Sequence, residues 1–190
     1  MRTLLLALAA LLVFTSCKKG EDDPSMPFKS RKQRLSGEWR MSSGSASFTW
    51  ANYSELYTMD GAACKNYRTY SGGQPTIYIG KYTLSLTIDK DGKIVFNEVS
   101  PMGGLQGEGE WNFNNGVGDE KKKESITVKI NSLSRGNTYS GFFNHGSNVM
   151  HYRLKELNKK KMVILASGMY YASDDLPVDY QLEYTLEQRD

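Results

Sequence analysis

Residues 178–187 read Val-Asp-Tyr-Gln-Leu-Glu-Tyr-Thr-Leu-Glu. Apolar or aromatic side chains fill every second position from Val178 to Leu186, and polar or charged side chains fill the positions between them. A period of two places these two sets on opposite faces of an extended chain. The segment therefore predicts a β-strand with one buried face and one face in water.

Further segments with strand signals occur along the chain, and tight turns join some of the neighbours. Asp89–Gly92 (Asp-Lys-Asp-Gly) and Leu157–Lys161 (Leu-Asn-Lys-Lys-Lys) each separate two apolar segments as a hairpin turn. The eight predicted strands centre on residues 39–41, 82–88, 94–96, 111–113, 126–130, 150–155, 162–165 and 178–187. Antiparallel strands in sequence order can close into a barrel without exposed edges. We therefore predict an all-β fold with an up-and-down antiparallel barrel, and a two-sheet β-sandwich is the alternative.

The N-terminus has the organisation of a secretory signal. Arg2 gives a positive start, eleven apolar residues run from Leu4 to Phe14, and small polar residues precede Cys17. This run is well short of the roughly 20 residues that a membrane-spanning helix needs. The end of the run, up to Cys17, resembles the lipobox, at which signal peptidase II cuts before a cysteine that is acylated on its thiol. We therefore expect residues 1–16 to be a lipoprotein signal peptide and Cys17 to be lipidated.

A charged stretch follows the expected anchor. Residues 17–34 open with Cys-Lys-Lys-Gly-Glu-Asp-Asp-Pro-Ser and offer few side chains to bury, so we expect a flexible tether. The acidic cluster behind the cysteine resembles the export signal of some Gram-negative outer-membrane lipoproteins. The alternative is that these charges only keep the tether solvated. We expect a lipid-anchored outer-membrane protein, exposed at the cell surface, with the membrane as a partner through its acyl chains.

The composition indicates one folded domain over residues 35–190. Its length is sufficient for a single domain with a proper core, and we expect that domain to be monomeric. The basic residues are scattered apart from two lysine triplets at predicted turn ends, which argues against a nucleic-acid partner. Cys64 is the only cysteine besides Cys17, so we expect no disulfide within the domain and a small, buried Cys64 side chain.

The pattern Gly-Glu-Trp-x-apolar occurs twice. It begins at Gly37 and again at Gly109, and so places Trp39 and Trp111 at corresponding positions. We interpret both as the start of a strand, in which the glycine bends the chain and the tryptophan plugs the interior.

The segment Leu35–Trp39 (Leu-Ser-Gly-Glu-Trp) resembles the Gly-x-Trp motif that opens lipocalin-like domains. The similarity continues through the Asp-Lys-Asp-Gly turn, the second Gly-Glu-Trp, a Tyr-Arg-Leu-Lys-Glu-Leu segment and a C-terminal strand. In this respect the chain is similar to lipocalin-like domain lipoproteins of Gram-negative gut bacteria. The resemblance implies an up-and-down barrel sealed at one end by Trp39, which would pack under Arg189. Segment 43–80 departs from it, because it is longer and richer in aromatics than a simple connection.

The sequence gives little support for catalysis or metal binding. His145 and His151 are the only histidines, and no zinc motif includes them. Asp89–Gly92 matches the start of an EF-hand loop, but Ser100 occupies the twelfth position, where a bidentate glutamate belongs. We therefore predict a non-enzymatic protein with no catalytic residue, no metal and no cofactor.

Segment 43–80 contains the most suggestive group of side chains. Flat rings with polar tips, set among Ser, Thr, Asn and Gly, suit the recognition of a sugar or an amphipathic molecule. The alternative is that the rings cap the barrel core beneath a long loop. The candidate ligand-binding residues are Trp50, Tyr53, Tyr57, Tyr67 and Tyr70.

Two functions follow from these observations. The first is a lipid-anchored barrel that binds a small hydrophobic or amphipathic ligand in its interior or at its mouth. The second is a surface interaction or glycan-binding module that uses segment 43–80. An open, apolar cavity would favour the first function, whereas a filled barrel with an exposed aromatic platform would favour the second.

Overall fold

The computed structural model describes residues 30–100, 103–114, 124–135, 143, 148–171 and 176–189. The predicted signal peptide, Cys17, the tether up to residue 29 and His145 lie outside the described residues. The described elements are α1 (Arg31–Leu35), β1 (Gly37–Thr49), β2 (Tyr53–Asp60), β3 (Ala63–Tyr70), β4 (Thr76–Lys81), β5 (Thr83–Ile88), β6 (Lys93–Ser100), β7 (Gly103–Phe113), β8 (Ser125–Arg135), β9 (Val149–Leu157), β10 (Lys161–Tyr171) and β11 (Pro177–Gln188). Among these ranges, no helix is long and apolar enough to cross a membrane.

Eight of the strands form a closed, antiparallel, up-and-down barrel. Strands β5 to β11 pair in sequence order, and β1 closes the ring by pairing with β5 on one side and β11 on the other. Trp39 lies opposite Gln188 in the closing ladder. The barrel prediction is therefore confirmed, and the sandwich alternative is wrong.

Strands β2 and β3 form a hairpin that is inserted between β1 and β4. The first residues of β1, Gly37–Arg40, pair with β5, whereas Ser43–Thr49 pair with β2. At the tip of the hairpin, the Gly61 amide donates to the Ser42 carbonyl at 2.7 Å. Segment 43–80 is therefore not a long loop over the core. The second half of β1 together with β2, β3 and β4 is called the upper sheet below.

The barrel interior is filled by large side chains. Phe143, from the connection between β8 and β9, stacks on Tyr152 with 5.1 Å between ring centroids and lies 4.9 Å from the ring of Phe96. Its amide donates to Glu98 at 3.3 Å. The side chains with less than 2% exposure inside the core include Trp39, Tyr82, Phe96, Phe143, Tyr152 and Tyr184.

Helix α1 closes the end of the barrel opposite Phe143. The Trp39 indole donates to the Leu35 carbonyl at 2.8 Å, and the guanidinium of Arg34, which is 4% exposed, donates to the Leu157 carbonyl. Residues 31–34 were expected in the tether, but a Ser30 capping box starts a helix there, and burial of its last turn holds it on the barrel. The prediction for Arg189 is wrong: its side chain is exposed, and Arg34 is the buried arginine at this end.

The prediction that the second Gly-Glu-Trp motif starts a strand is wrong, because the motif lies at a β-bulge inside β7, which begins at Gly103. Gly109 follows a register shift against β8, where a Cβ atom would clash with the Lys129 carbonyl. The Trp111 indole donates to the Asp89 carbonyl at 2.8 Å and so ties β7 to the predicted hairpin turn. Trp39 and Trp111 are both buried, as expected. The first motif differs, because Gly37 starts β1 with a φ of 139°.

Candidate functional site

One face of the upper sheet continues the barrel interior towards the rim. Residues directly opposite each other in an antiparallel ladder share a face. Phe48, Glu55, Arg68 and Thr76 are opposite one another in turn across β1 to β4. Since Phe48 belongs to the buried core, this row defines the inner face of the upper sheet.

A carboxylate–guanidinium pair occupies the middle of the inner face. Glu55 Oε1 lies 3.0 Å from Arg68 Nε, and the two side chains are 11% and 29% exposed. The hydroxyls of Tyr53 and Tyr57 both donate to the Glu55 carboxylate. The Arg68 guanidinium lies over the Tyr78 ring, 4.8 Å from its centroid. Several contacts therefore hold both charged groups in place.

A row of aromatic rings runs from the core to the surface beside this pair. Ring centroids are 6.3 Å apart for Phe48 and Trp50, 4.9 Å for Trp50 and Tyr53, and 4.8 Å for Tyr53 and Tyr70. Phe48 is buried, Trp50 and Tyr53 are half-buried, and Tyr70 is 61% exposed. The row thus presents ring faces and edges to solvent next to fixed polar groups.

Tyr53 remains a hydrogen-bond donor to Glu55 at neutral pH. Burial first, and then the hydrogen bond to Glu55, raise the pKa of Tyr53 far above its ordinary value. The pKa of Tyr170, on β10, is also raised, first by burial and then by the negative charge of Glu55. Tyr170 is therefore within electrostatic reach of the inner face, and its ring lies 6.1 Å from that of Tyr180.

Four of the five predicted ligand-binding residues belong to this cluster. Trp50, Tyr53 and Tyr70 form the aromatic row, and Tyr57 is bonded to Glu55 beneath it. Tyr67 does not belong to it, because it lies opposite Leu56 and Ile77 on the other face of the sheet.

Sequence reasoning missed the two charged residues at the centre. Glu55 and Arg68 do not look like core positions, although residues 53, 55, 57 and 59 share one face of a single strand. If one charged residue is allowed in a period-two row of aromatic residues, residues 53, 55 and 57 predict that Glu55 shares a face with the two tyrosines.

A surface depression of about 530 Å³ lies on the side of the barrel. It is found where the pairing of β9 with β10 ends at Arg153 and Leu165. Its lining includes exposed polar side chains such as Ser167 and Gln181, which is typical of a hydrated surface. The inner face of the upper sheet is therefore the stronger candidate site.

Neither a protein-family model nor a curated protein matches the chain. Within the described ranges, no group of three or more His, Cys, Asp or Glu side chains is placed to hold a metal ion. The Cys64 thiol is buried, as expected, and burial raises its pKa. The site therefore has to be interpreted from its own chemistry.

Proposed function

We propose that the protein is a lipid-anchored envelope lipoprotein that binds a glycan, without catalysis, on the inner face of the upper sheet. The observation that carries this proposal is the aromatic row Trp50–Tyr53–Tyr70 beside the Glu55–Arg68 pair. A sugar ring offers apolar C–H faces and several hydroxyls. Aromatic faces pack against the C–H faces, and fixed polar groups form hydrogen bonds with the hydroxyls.

The polar centre suits a neutral, hydroxyl-rich ligand. Each sugar hydroxyl both donates and accepts hydrogen bonds, the Glu55 carboxylate accepts them, and the Arg68 guanidinium donates them. Because the two charges are paired at 3.0 Å, the centre presents polar atoms with little net charge. A rigid, paired centre of this kind also lowers the ordering cost of binding.

The filled barrel supports a surface site over an interior one. Phe143 stacks on Tyr152, and Tyr82 and Tyr184 are fully buried in the same interior. An interior ligand would have to displace these rings, which pack as a close-fitting core. The first of the two functions expected from the sequence is therefore less well supported than the second.

Binding is favoured over hydrolysis by the state of the carboxylate. Most glycosidases need two carboxyl groups on either side of the scissile bond, one of them free to exchange a proton. Glu55 instead accepts hydrogen bonds from Tyr53 and Tyr57 and pairs with Arg68. Such a group orients a ligand better than it transfers protons.

The envelope location is part of the proposal and depends on Cys17. A cleaved signal and an acylated cysteine would place the folded domain at the outer membrane, exposed at the cell surface. More than one acyl chain would hold it there firmly, since a single chain binds only marginally. A surface position would bring the inner face of the upper sheet into contact with glycans.

A glycan array tests the proposal, with the mature lipoprotein in a detergent that contains no sugar. We expect the Trp50→Ala and Tyr70→Ala variants to lose roughly tenfold or more in affinity for any bound glycan, since aromatic side chains that a ligand covers carry much of the energy of an interface. The matched control is Tyr67→Ala, which removes a tyrosine from the opposite face of the same strand. Absence of any bound glycan, or an equal loss from Tyr67→Ala, would contradict the proposal.

A further inference from the structure

A small cavity lies on the inner face of the upper sheet, next to the Glu55–Arg68 pair. Its volume is about 180 Å³, several times the roughly 30 Å³ that one water occupies in the liquid. Arg68 and Tyr57, which both contact Glu55, form part of its wall. The lining residues are Tyr57, Cys64, Asn66, Arg68, Tyr78, Ile79 and Gly80.

The cavity wall contains a buried amide that is not fully satisfied. Asn66 is 5% exposed, and its Oδ1 has no hydrogen-bond partner among the described residues. It lies on the same face of β3 as Cys64 and Arg68, and opposite Tyr78 of β4. A buried polar atom without a partner lowers stability, and a bound group that donates a hydrogen bond to this atom would remove that cost.

The remaining wall limits the chemistry of that group. The Tyr57 and Tyr78 rings and the protonated Cys64 thiol offer apolar contacts, and the charge of Arg68 is already balanced by Glu55. The site therefore favours a neutral group over an acidic one. That group would have a hydrogen-bond donor for Asn66, an acceptor for Arg68 and a compact apolar end.

We infer that this cavity receives the acetamido group of an N-acetylated sugar. The amide N–H would donate to Asn66 Oδ1, the carbonyl oxygen would accept from the Arg68 guanidinium, and the methyl group would pack against Cys64 and the two tyrosine rings. The inference rests on the proposed glycan binding and specifies its ligand class. The aromatic row would bind the sugar rings, and the cavity would select the N-acetyl substituent.

The test compares two tetrasaccharides of the same linkage, the β-1,4 tetramers of N-acetylglucosamine and of glucose. Calorimetry on the mature lipoprotein should show roughly tenfold tighter binding of the N-acetylated tetramer, the effect of one well-placed hydrogen bond with its apolar contact. Asn66→Leu should remove this preference. Tyr67→Ala, on the opposite face of β3, should keep it.

The thermal stability of Asn66→Leu shows whether a lost preference for the N-acetylated tetramer is caused by unfolding. Replacing an unsatisfied buried amide by an apolar group of similar size should keep or raise the melting temperature, so that lost preference would not reflect unfolding. Equal binding of both tetramers, or a preference that survives in Asn66→Leu, would overturn the inference and leave glycan binding intact. Binding of neither tetramer, with no glycan bound on the array, would overturn both proposals.

Discussion

The Tyr82 hydroxyl donates a hydrogen bond to the Glu98 carboxylate at 2.6 Å, inside the barrel, where both side chains are at most 1% exposed. The same carboxylate accepts the Phe143 amide. A buried carboxylate is destabilising unless donors surround it. Glu98 therefore needs these partners, and it holds Phe143 in the barrel interior.

Removing the Tyr82 hydroxyl should destabilise the fold. Tyr82→Phe keeps the ring but takes one donor from a buried carboxylate, so we expect a loss of about 1–3 kcal/mol in the free energy of unfolding. Urea denaturation measures it. The control is Tyr171→Phe, at a position that is 65% exposed, which should change stability by less than about 0.5 kcal/mol. Equal effects from the two variants would show that the buried bond is not stabilising.

Stability should fall in alkaline solution. Burial raises the pKa of Tyr82 and of Tyr152 well above the ordinary value of 10, so both stay protonated in the folded state while they ionise near 10 in the unfolded state. The contribution of these two tyrosines to the free energy of unfolding is fully present below pH 10 and is lost as the pH rises above 10. Each such tyrosine should lower the unfolding free energy by about 1.4 kcal/mol per pH unit in that range. Urea denaturation across the range tests this, and a pH-independent free energy would refute it.

The two arginines at the closed end should differ in their importance for stability. Arg34→Ala removes a buried side chain that donates to the Leu157 carbonyl, and we expect a loss of about 2–4 kcal/mol. Arg189→Ala removes an exposed side chain and should cost less than about 0.5 kcal/mol. Thermal and urea denaturation compare the variants. A larger loss from Arg189→Ala would restore the role that the resemblance implied for it.

Gly109 should not tolerate a side chain. A Cβ atom there would clash with the Lys129 carbonyl and lie 3.0 Å from Ile130 Cα, and backbone atoms cannot move away as a flexible side chain can. We expect Gly109→Ala to cost about 3 kcal/mol or to prevent folding. At Gly104 of the same strand, the nearest atom would be 3.8 Å away, so Gly104→Ala is the matched control. Circular dichroism and soluble yield report the outcome.

The proposed lipid anchor is tested by substitution of Cys17, the residue that we expect to be acylated. Cys17→Ser removes the thiol that would carry the lipid, so metabolic labelling with a palmitate analogue should disappear and the protein should leave the membrane fraction. Cys64→Ser is the control, because it removes the buried cysteine and should keep the label. Label that persists in Cys17→Ser would contradict the prediction that the protein is a lipoprotein.

The sequence by itself determined the eight barrel strands from local signals. Segments such as 82–88 and 178–187 alternate with a period of two, which gives one buried face, and residues 162–165 form a continuous apolar run. The Asp89–Gly92 turn and the burial of both tryptophans followed from equally local signals. The aromatic content of segment 43–80 also pointed to the region in which Trp50, Tyr53 and Tyr70 form the aromatic row.

Only the tertiary structure decided how that segment folds. Its strands place Glu55, Asn66 and Arg68 on the inner face, so the apolar period that marks a strand is interrupted at these positions. The pairing of Glu55 with Arg68 depends on a ladder register set by the β2–β3 turn. Arg34 replaced Arg189 at the closed end for a similar reason, since burial there depends on how α1 packs on the barrel. Periodicity reports which faces are apolar, whereas pairing between distant positions depends on the contacts that form when the whole chain packs.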